Sequence, residues 1–270
     1  VIQGARRRLG RRGIPLLLLG AGKIGWGVGF VAAPSTDPRA LAGVTAVMPL
    51  GAWACLWVGA GLVAIAAAFL PVGRDRWGYV AAVIPPGAWA LGHFYAALEF
   101  QYLRALFVGL WYLLSHALVI LWAASVAEYA LPRVKYRSRR APPLYLFGVG
   151  GMVWAIGYVA APAASTRGLA PLLHGGLTMR VWATAWFFAG LVTITCLILP
   201  QGPDRWGFVA AAALPVVWAA SYAWEWVTDG YGRGFFVALW FLTTQAGMAL
   251  WAASVPEYEL PHFDDEGRPV

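Results

Sequence analysis

"IPLLLLGAGKIGWGVGF", residues 14–30, supports two incompatible readings. Gly20, Gly22 and Gly25 spell G-x-G-x-x-G behind an apolar run. In a βαβ unit that pattern opens a helix onto a dinucleotide pyrophosphate. Read as one helix, the same stretch is part of an apolar span of about 20 residues, the length that crosses a bilayer. The flanks decide for the helix. After Gly25 come "WGVGFVAAP" and a Pro/Asp turn, with no second strand, and Asp37 lies too near to be the ribose-binding acid. The later stretch "FGVGGMVWAIG", residues 147–157, breaks the fingerprint. Walker A fails as well, because Leu17 and Ile24 stand where Gly and Ser or Thr are required. Ala21, Gly25, Gly29 and Ala33 recur every fourth residue and predict a small-residue stripe for helix packing.

Composition points the same way. The 270 residues are 60% hydrophobic and 12% charged, with sixteen Trp and eleven Tyr. Soluble domains carry about 25% charged residues. The net charge is +8, and ten of the twenty cations sit in "ARRRLGRR" (5–12) and "RVKYRSRR" (133–140). In so apolar a chain these runs read as cytoplasmic flanks of membrane spans, so no nucleic-acid partner is expected. The basic start is read as such a flank and not as a cleaved signal. The Arg-, Ala- and Gly-rich composition suits a GC-rich bacterial genome or one of its phages.

A shift of 129 residues lays the sequence on itself. "LWAASVAEYALP" (121–132) meets "LWAASVPEYELP" (250–261), and "DRWGYVAA" (75–82) meets "DRWGFVAA" (204–211). Trp53, Trp57, Trp89, Arg104 and Trp111 meet Trp182, Trp186, Trp218, Arg233 and Trp240. Near the front the shift is 128, where "GFVAAP" (29–34) meets "GYVAAP" (157–162). The reading is a tandem duplication.

Each copy holds four apolar stretches, at 14–34, 51–70, 78–98 and 104–126, then at 143–162, 180–199, 207–227 and 233–254. The predicted fold is all-α: a polytopic integral membrane protein whose eight transmembrane helices form two tandem parallel four-helix repeats. Its parts are a basic cytoplasmic N-terminus (1–13), repeat one (14–132), a basic cytoplasmic linker (133–142), repeat two (143–261) and an acidic cytoplasmic tail (262–270). Segment 40–50 reads as interfacial, since its counterpart carries His174 and Arg180. With both termini inside, the cytoplasmic parts hold fourteen Arg and Lys against five outside, which places the chain in the cell's inner membrane with N- and C-termini cytoplasmic.

Lys23 falls at mid-span, where an ammonium costs about 3 kcal/mol on insertion scales and so faces the bundle interior or water. The fourth span of each copy has a polar centre, Ser115 and His116 in one and Thr243, Thr244 and Gln245 in the other. Lys23, Ser115, His116, Thr244 and Gln245 are therefore the candidate substrate-binding residues at the midplane. Asp75 and Asp204 are expected to cap the helices that follow them. Glu128 and Glu257, with nearby arginines, offer a repeat-equivalent gate. Arg104 and Arg233 are expected to reach outward to lipid phosphates, with anion attraction as the alternative, and Glu225 to pair with an outer cation or mark a vestibule. Cys55 and Cys196 lie at different depths and should not bridge.

No catalytic motif, cofactor motif or metal-ligand pattern is present in the sequence. The expected role is a carrier or channel for a small, anionic solute. The alternative is a non-catalytic membrane scaffold, phage- or element-encoded, that engages a membrane-protein partner or a second copy through its basic loops and acidic tail "FDDEG" (263–267). A membrane enzyme ranks third.

Overall fold

Apolar runs punctuated by Gly, Pro and charged turns become helices of bilayer length. The computed structural model describes residues 2–33, 38–71, 73–126, 140–161, 167–173, 177–199 and 203–255, with the side chains of 2–10 and 38–40 left aside. In the first half these are α1 (Ile2–Ala32), α2 (Pro38–Thr45), α3 (Leu50–Ala67), α4 (Arg76–Glu99) and α5 (Leu103–Ser125). In the second half they are α6 (Ala141–Ala160), α7 (Ala170–Leu173), α8 (Met179–Ile198), α9 (Arg205–Asp229) and α10 (Gly234–Ala253). No strand occurs among the described residues. Most of the linker, the tail, Glu128, Glu257 and His174 lie outside them.

Seven helices are long and apolar enough to cross a membrane: all the long ones but α4. That composition suits a lipid bilayer environment. The membrane-length part of α1 begins at Arg11, and the helix itself runs from Ile2, so it continues through the basic N-terminal run. α4 has the length, 24 residues, but Pro85, Pro86 and His93 dilute its apolar character. α2 has eight residues, about 12 Å of helix, too short for a crossing, as its interfacial reading requires.

Helix contacts in the two halves correspond. α1 lies on α3 through facing glycines, where a Cβ at Gly20 would sit 2.8 Å from the Gly61 carbonyl oxygen; α6 lies on α8 in the same way, with 2.9 Å from Gly148 to the Gly190 carbonyl oxygen. The Trp53 indole donates to the Val44 carbonyl and the Trp182 indole to that of Leu172, both at 2.8 Å. These bonds tie α2 to α3 and α7 to α8. Trp57 meets Trp89 edge-on at 5.6 Å, and Trp186 meets Trp218 at 5.4 Å.

The halves meet through α1 against α10 and α6 against α5. Gly25 and Gly29 of the expected stripe take part, with Gly22 in place of Ala21. A Cβ at Gly29 would lie 2.9 Å from Phe236, and one at Gly157 2.7 Å from Phe107. Small residues let these backbones approach closely.

The two aspartates do not cap. Neither Asp75 nor Asp204 makes a side-chain cap bond. Each sits in the helical region of backbone space, unlike the extended conformation an N-cap usually takes. Asp75 instead pairs with Arg12, which also donates to the carbonyls of Ala124 and Val126 at 2.7 Å. Arg140 pairs with Asp204 at 3.1 Å and donates to the Val255 carbonyl at 2.8 Å. Arg12 thus ties α1 to the turn before α4 and to the end of α5, and Arg140 ties the start of α6 to the turn before α9 and to the end of α10. Arg12→Gln should leave Asp75 unpaired and cost roughly 3 kcal/mol. Adding Asp75→Asn should cost little more, because the two act as a unit. Thermal unfolding of the singles and the double checks this; additive losses would refute the latch.

Candidate functional site

Lys23 leaves α1 towards the centre of the bundle. It is 0% exposed, and its Nζ has no hydrogen-bond partner. The ammonium lies 5.1 Å from the centre of the Trp57 ring and 5.7 Å from that of Trp240. Those rings meet edge-on at 5.3 Å, and Trp26, one turn along α1, touches Trp240 at 5.0 Å. A cation over an aromatic face gains about 0.5–1 kcal/mol. Two faces therefore offset part of the roughly 3 kcal/mol cost of the charge at this depth. The sequence marked Lys23 as anomalous; the structure supplies the aromatic box that tolerates it.

His116 and Gln245 face one another across the two halves. Gln245 Nε2 lies 3.0 Å from His116 Nε2 and donates to the Ser115 carbonyl at 3.4 Å. The carbonyl identifies Nε2 as the amide nitrogen, so His116 Nε2 is the acceptor in this pair. The imidazole is otherwise enclosed by rings, with Trp111 at 4.6 Å and Trp240 at 4.7 Å. Lys23 and His116 thus share the Trp240 ring.

Both residues of this pair stand in π-helical turns, Leu113–Leu118 and Phe241–Gly247, at corresponding places in α5 and α10. Such turns loosen main-chain hydrogen bonding locally and recur at functional sites. The Ser115 carbonyl in one of them takes the Gln245 amide. Periodicity in the sequence gives no signal for a π turn inside a uniformly apolar helix.

The other two candidates play lesser parts. The Thr244 hydroxyl donates to the Trp240 carbonyl at 2.8 Å within its own helix. Ser115 packs its side chain on Gly150 of α6, as Thr244 packs on Gly22 of α1. The centre therefore assembles Lys23, His116 and Gln245, uses Ser115 through its backbone, and leaves Thr244 as a packing residue.

The tryptophans are the residues that sequence reasoning missed as site components. Trp111 stacks on Trp154 at 4.4 Å and 29°, while its counterpart Trp240 meets Trp26 at 5.0 Å and 34°. The indole nitrogens of Trp26, Trp57, Trp111, Trp154, Trp186, Trp218 and Trp240 are buried with no hydrogen-bond partner. The pairing of Trp57 with Trp186 and of Trp111 with Trp240 by the 129-residue shift was visible; the convergence of the rings on one centre was not.

At the far end, Arg104 does not reach outward as expected. It is buried, donates to the Ala161 carbonyl at 2.8 Å and lies 4.6 Å over the Tyr158 ring. Arg233 lies 4.3 Å over Phe30, the position equivalent to Tyr158. Glu225 is buried. Cys55 and Cys196 are free thiols, as expected. Trp77 and Trp206 are exposed beside Arg76 and Arg205, as interfacial anchors would be. No group of three or more His, Cys, Asp or Glu placed to hold a metal occurs among the described residues.

In comparison with known proteins, no protein family matches this chain, and neither a curated protein nor a solved structure matches it. The reading of its role therefore rests on the geometry alone.

Proposed function

We propose that this is an eight-span membrane transport protein for a small solute, with its site at Lys23, His116 and Gln245 between two parallel four-helix repeats. The observation that carries the reading is Lys23, an ammonium at mid-span with two ring faces and no hydrogen-bond partner. A charge so placed is costly to keep and is by default a functional group. A role in scaffolding gives no reason to keep it.

α4 serves as the eighth span. Its 24 residues reach about 36 Å, and Leu91 and Leu98 are 69% and 84% exposed, as lipid-facing side chains are. The matched glycine contacts, indole bonds and Arg–Asp latches support the repeat. Four crossings per copy carry both copies through the bilayer in one direction. The excess of Arg and Lys in the sequence segments assigned to the cytoplasmic side supports a bacterial inner-membrane protein with both termini inside.

A scaffold that binds a membrane-protein partner or a second copy is the second reading. The filled aromatic centre favours it, because rings in contact at 4.4–5.3 Å leave little room for a solute. Under the transport reading this packing is the closed state. An enzymatic role is not part of either reading: Ser115 packs on Gly150 while His116 pairs with Gln245, so they do not form a nucleophile–base pair.

Light scattering from proteoliposomes moved into iso-osmotic ammonium chloride, sodium acetate, sodium chloride or urea tests the choice. Entry of at least one solute should exceed that of protein-free vesicles, and His116→Leu should change that rate. Rates equal to empty vesicles for all four would favour the scaffold. A rate above background that ignores His116→Leu would reject the assigned site.

A further inference from the structure

The two halves differ at the position their shared sequence makes most informative. Lys23 corresponds, at the shift of 128, to Gly151. Its surroundings correspond too: Trp57 to Trp186, His116 to Gln245, Gly61 to Gly190 and Ala64 to Thr193. In the first half the lysine side chain occupies the space beside Trp57. In the second half Gly151, Trp186 and Gly190 line a mostly apolar cavity whose only hydroxyl and amide side chains are Thr193 and Gln245, with about 10 Å³ open to the centre of a water-sized sphere. That is room for one water-sized group.

Apart from the Trp186 indole, whose N–H has no hydrogen-bond partner, the polar side chains of this lining are Thr193 and Gln245. Thr193 already uses its hydroxyl hydrogen on the Ala189 carbonyl at 2.7 Å and the Gly207 carbonyl at 3.1 Å. Gln245 uses its amide nitrogen on His116 and the Ser115 carbonyl. What both have left is acceptor capacity, the hydroxyl lone pairs and the amide oxygen. Trp186 adds an aromatic ring. Acceptors beside such a ring suit a compact cationic donor. The protein itself displays the arrangement, since the Lys23 ammonium sits at the equivalent ring in the other half.

We propose that this cavity binds one ammonium-type donor, NH4+ or the head of a primary ammonium, against Trp186, Thr193 and Gln245. Lys23 is then a tethered occupant of the first of two related subsites, and the second is the ligand's. Trp240, His116 and Gln245 stand in sequence between the two charges. The inference rests on reading the centre as a solute site and names the solute's class. It sets aside the anionic solute expected in the sequence analysis.

Gly151 also gives the test. A Cβ there would meet Trp186 at 3.7 Å and Gly190 at 3.8 Å, ordinary contacts, so alanine is accommodated. Thermal unfolding of the full chain in nanodiscs is followed in ammonium chloride and in sodium chloride at equal ionic strength. Ammonium alone should raise the midpoint, by roughly 5 °C at about 100 times its Kd. Gly151→Lys, which installs the tethered ammonium, should abolish that rise. Thr193→Val should weaken binding about tenfold, the loss of one charge-assisted hydrogen bond. Should Gly151→Lys not fold, Thr193→Val and Gly151→Ala carry the test in the same way.

Equal responses to sodium and ammonium would mean a cavity that holds water only and would overturn the proposal. So would a folded Gly151→Lys that responds to ammonium as the unaltered chain does. The two readings fail separately. Ammonium binding lost in Gly151→Lys, with no solute entering vesicles, would sink transport and leave the site. Solute entry without an ammonium response would do the reverse.

Discussion

Lys23→Met should make the protein more stable and inactive. Methionine keeps the unbranched stem and roughly the volume, and it removes a buried charge with no acid partner. The charge costs about 3 kcal/mol at mid-span, and the faces of Trp57 and Trp240 return part of this. A net gain of about 1–2 kcal/mol is expected, seen as a rise of roughly 2–8 °C in the unfolding midpoint. The solute entry measured in proteoliposomes should fall about tenfold or more, in keeping with the trade of stability against function at sites that carry an unfavourable charge. The opposite pair of results, lost stability with unchanged flux, would make Lys23 a structural residue and favour a scaffold.

Gly61→Leu should prevent recovery of folded, monodisperse protein, and Gly190→Leu should do the same in the second half. A Cβ on Gly61 would sit 2.7 Å from the Gly20 carbonyl oxygen, and one on Gly190 2.5 Å from that of Gly148. Backbone at that distance cannot step aside as a side chain can. Overpacking of a tight core costs about 3 kcal/mol at the upper end of its usual range, and a whole isobutyl group against backbone exceeds that. Gly59, two residues away on the same helix, has nothing within 4 Å of its would-be Cβ. Gly59→Leu should therefore change stability by about 0.5 kcal/mol or less. Gel filtration in detergent separates the cases: a monodisperse peak for Gly61→Leu, or its loss for Gly59→Leu, would contradict the packing described.

Helical class and the positions of the seven membrane-length helices were legible in the sequence, because apolar length is a one-dimensional signal. α2 was legible as a non-crossing segment for the same reason. The partners of charged groups were not. Asp75 before a helix looks like a cap, yet Arg12, 63 residues away, supplies two carbonyl contacts as well as the charge pair and outweighs one capping bond. Arg104 looked like a lipid-facing cation, whereas the ring of Tyr158 and the Ala161 carbonyl hold it inside.

The central site was half legible. Lys23, His116 and Gln245 stood out because polar residues are rare in such spans. Ser115 and Thr244 stood out equally, but their side chains settle on Gly150 and Gly22. Whether a polar side chain faces a site or a neighbouring helix depends on rotation about the helix axis. The π turns alter that rotation without leaving a mark in the sequence.

Single-cysteine accessibility on intact cells tests the eight-span repeat most directly. The background removes Cys55 and Cys196. Arg74→Cys and Glu99→Cys flank α4, and Pro203→Cys and Asp229→Cys flank α9; all four positions are exposed. Glu99→Cys and Asp229→Cys should react with an impermeant maleimide from outside, and Arg74→Cys and Pro203→Cys only after the cells are opened. Arg74→Cys and Glu99→Cys reacting from the same face would contradict the account, because α4 would then not cross and the two halves would enter the membrane in opposite directions.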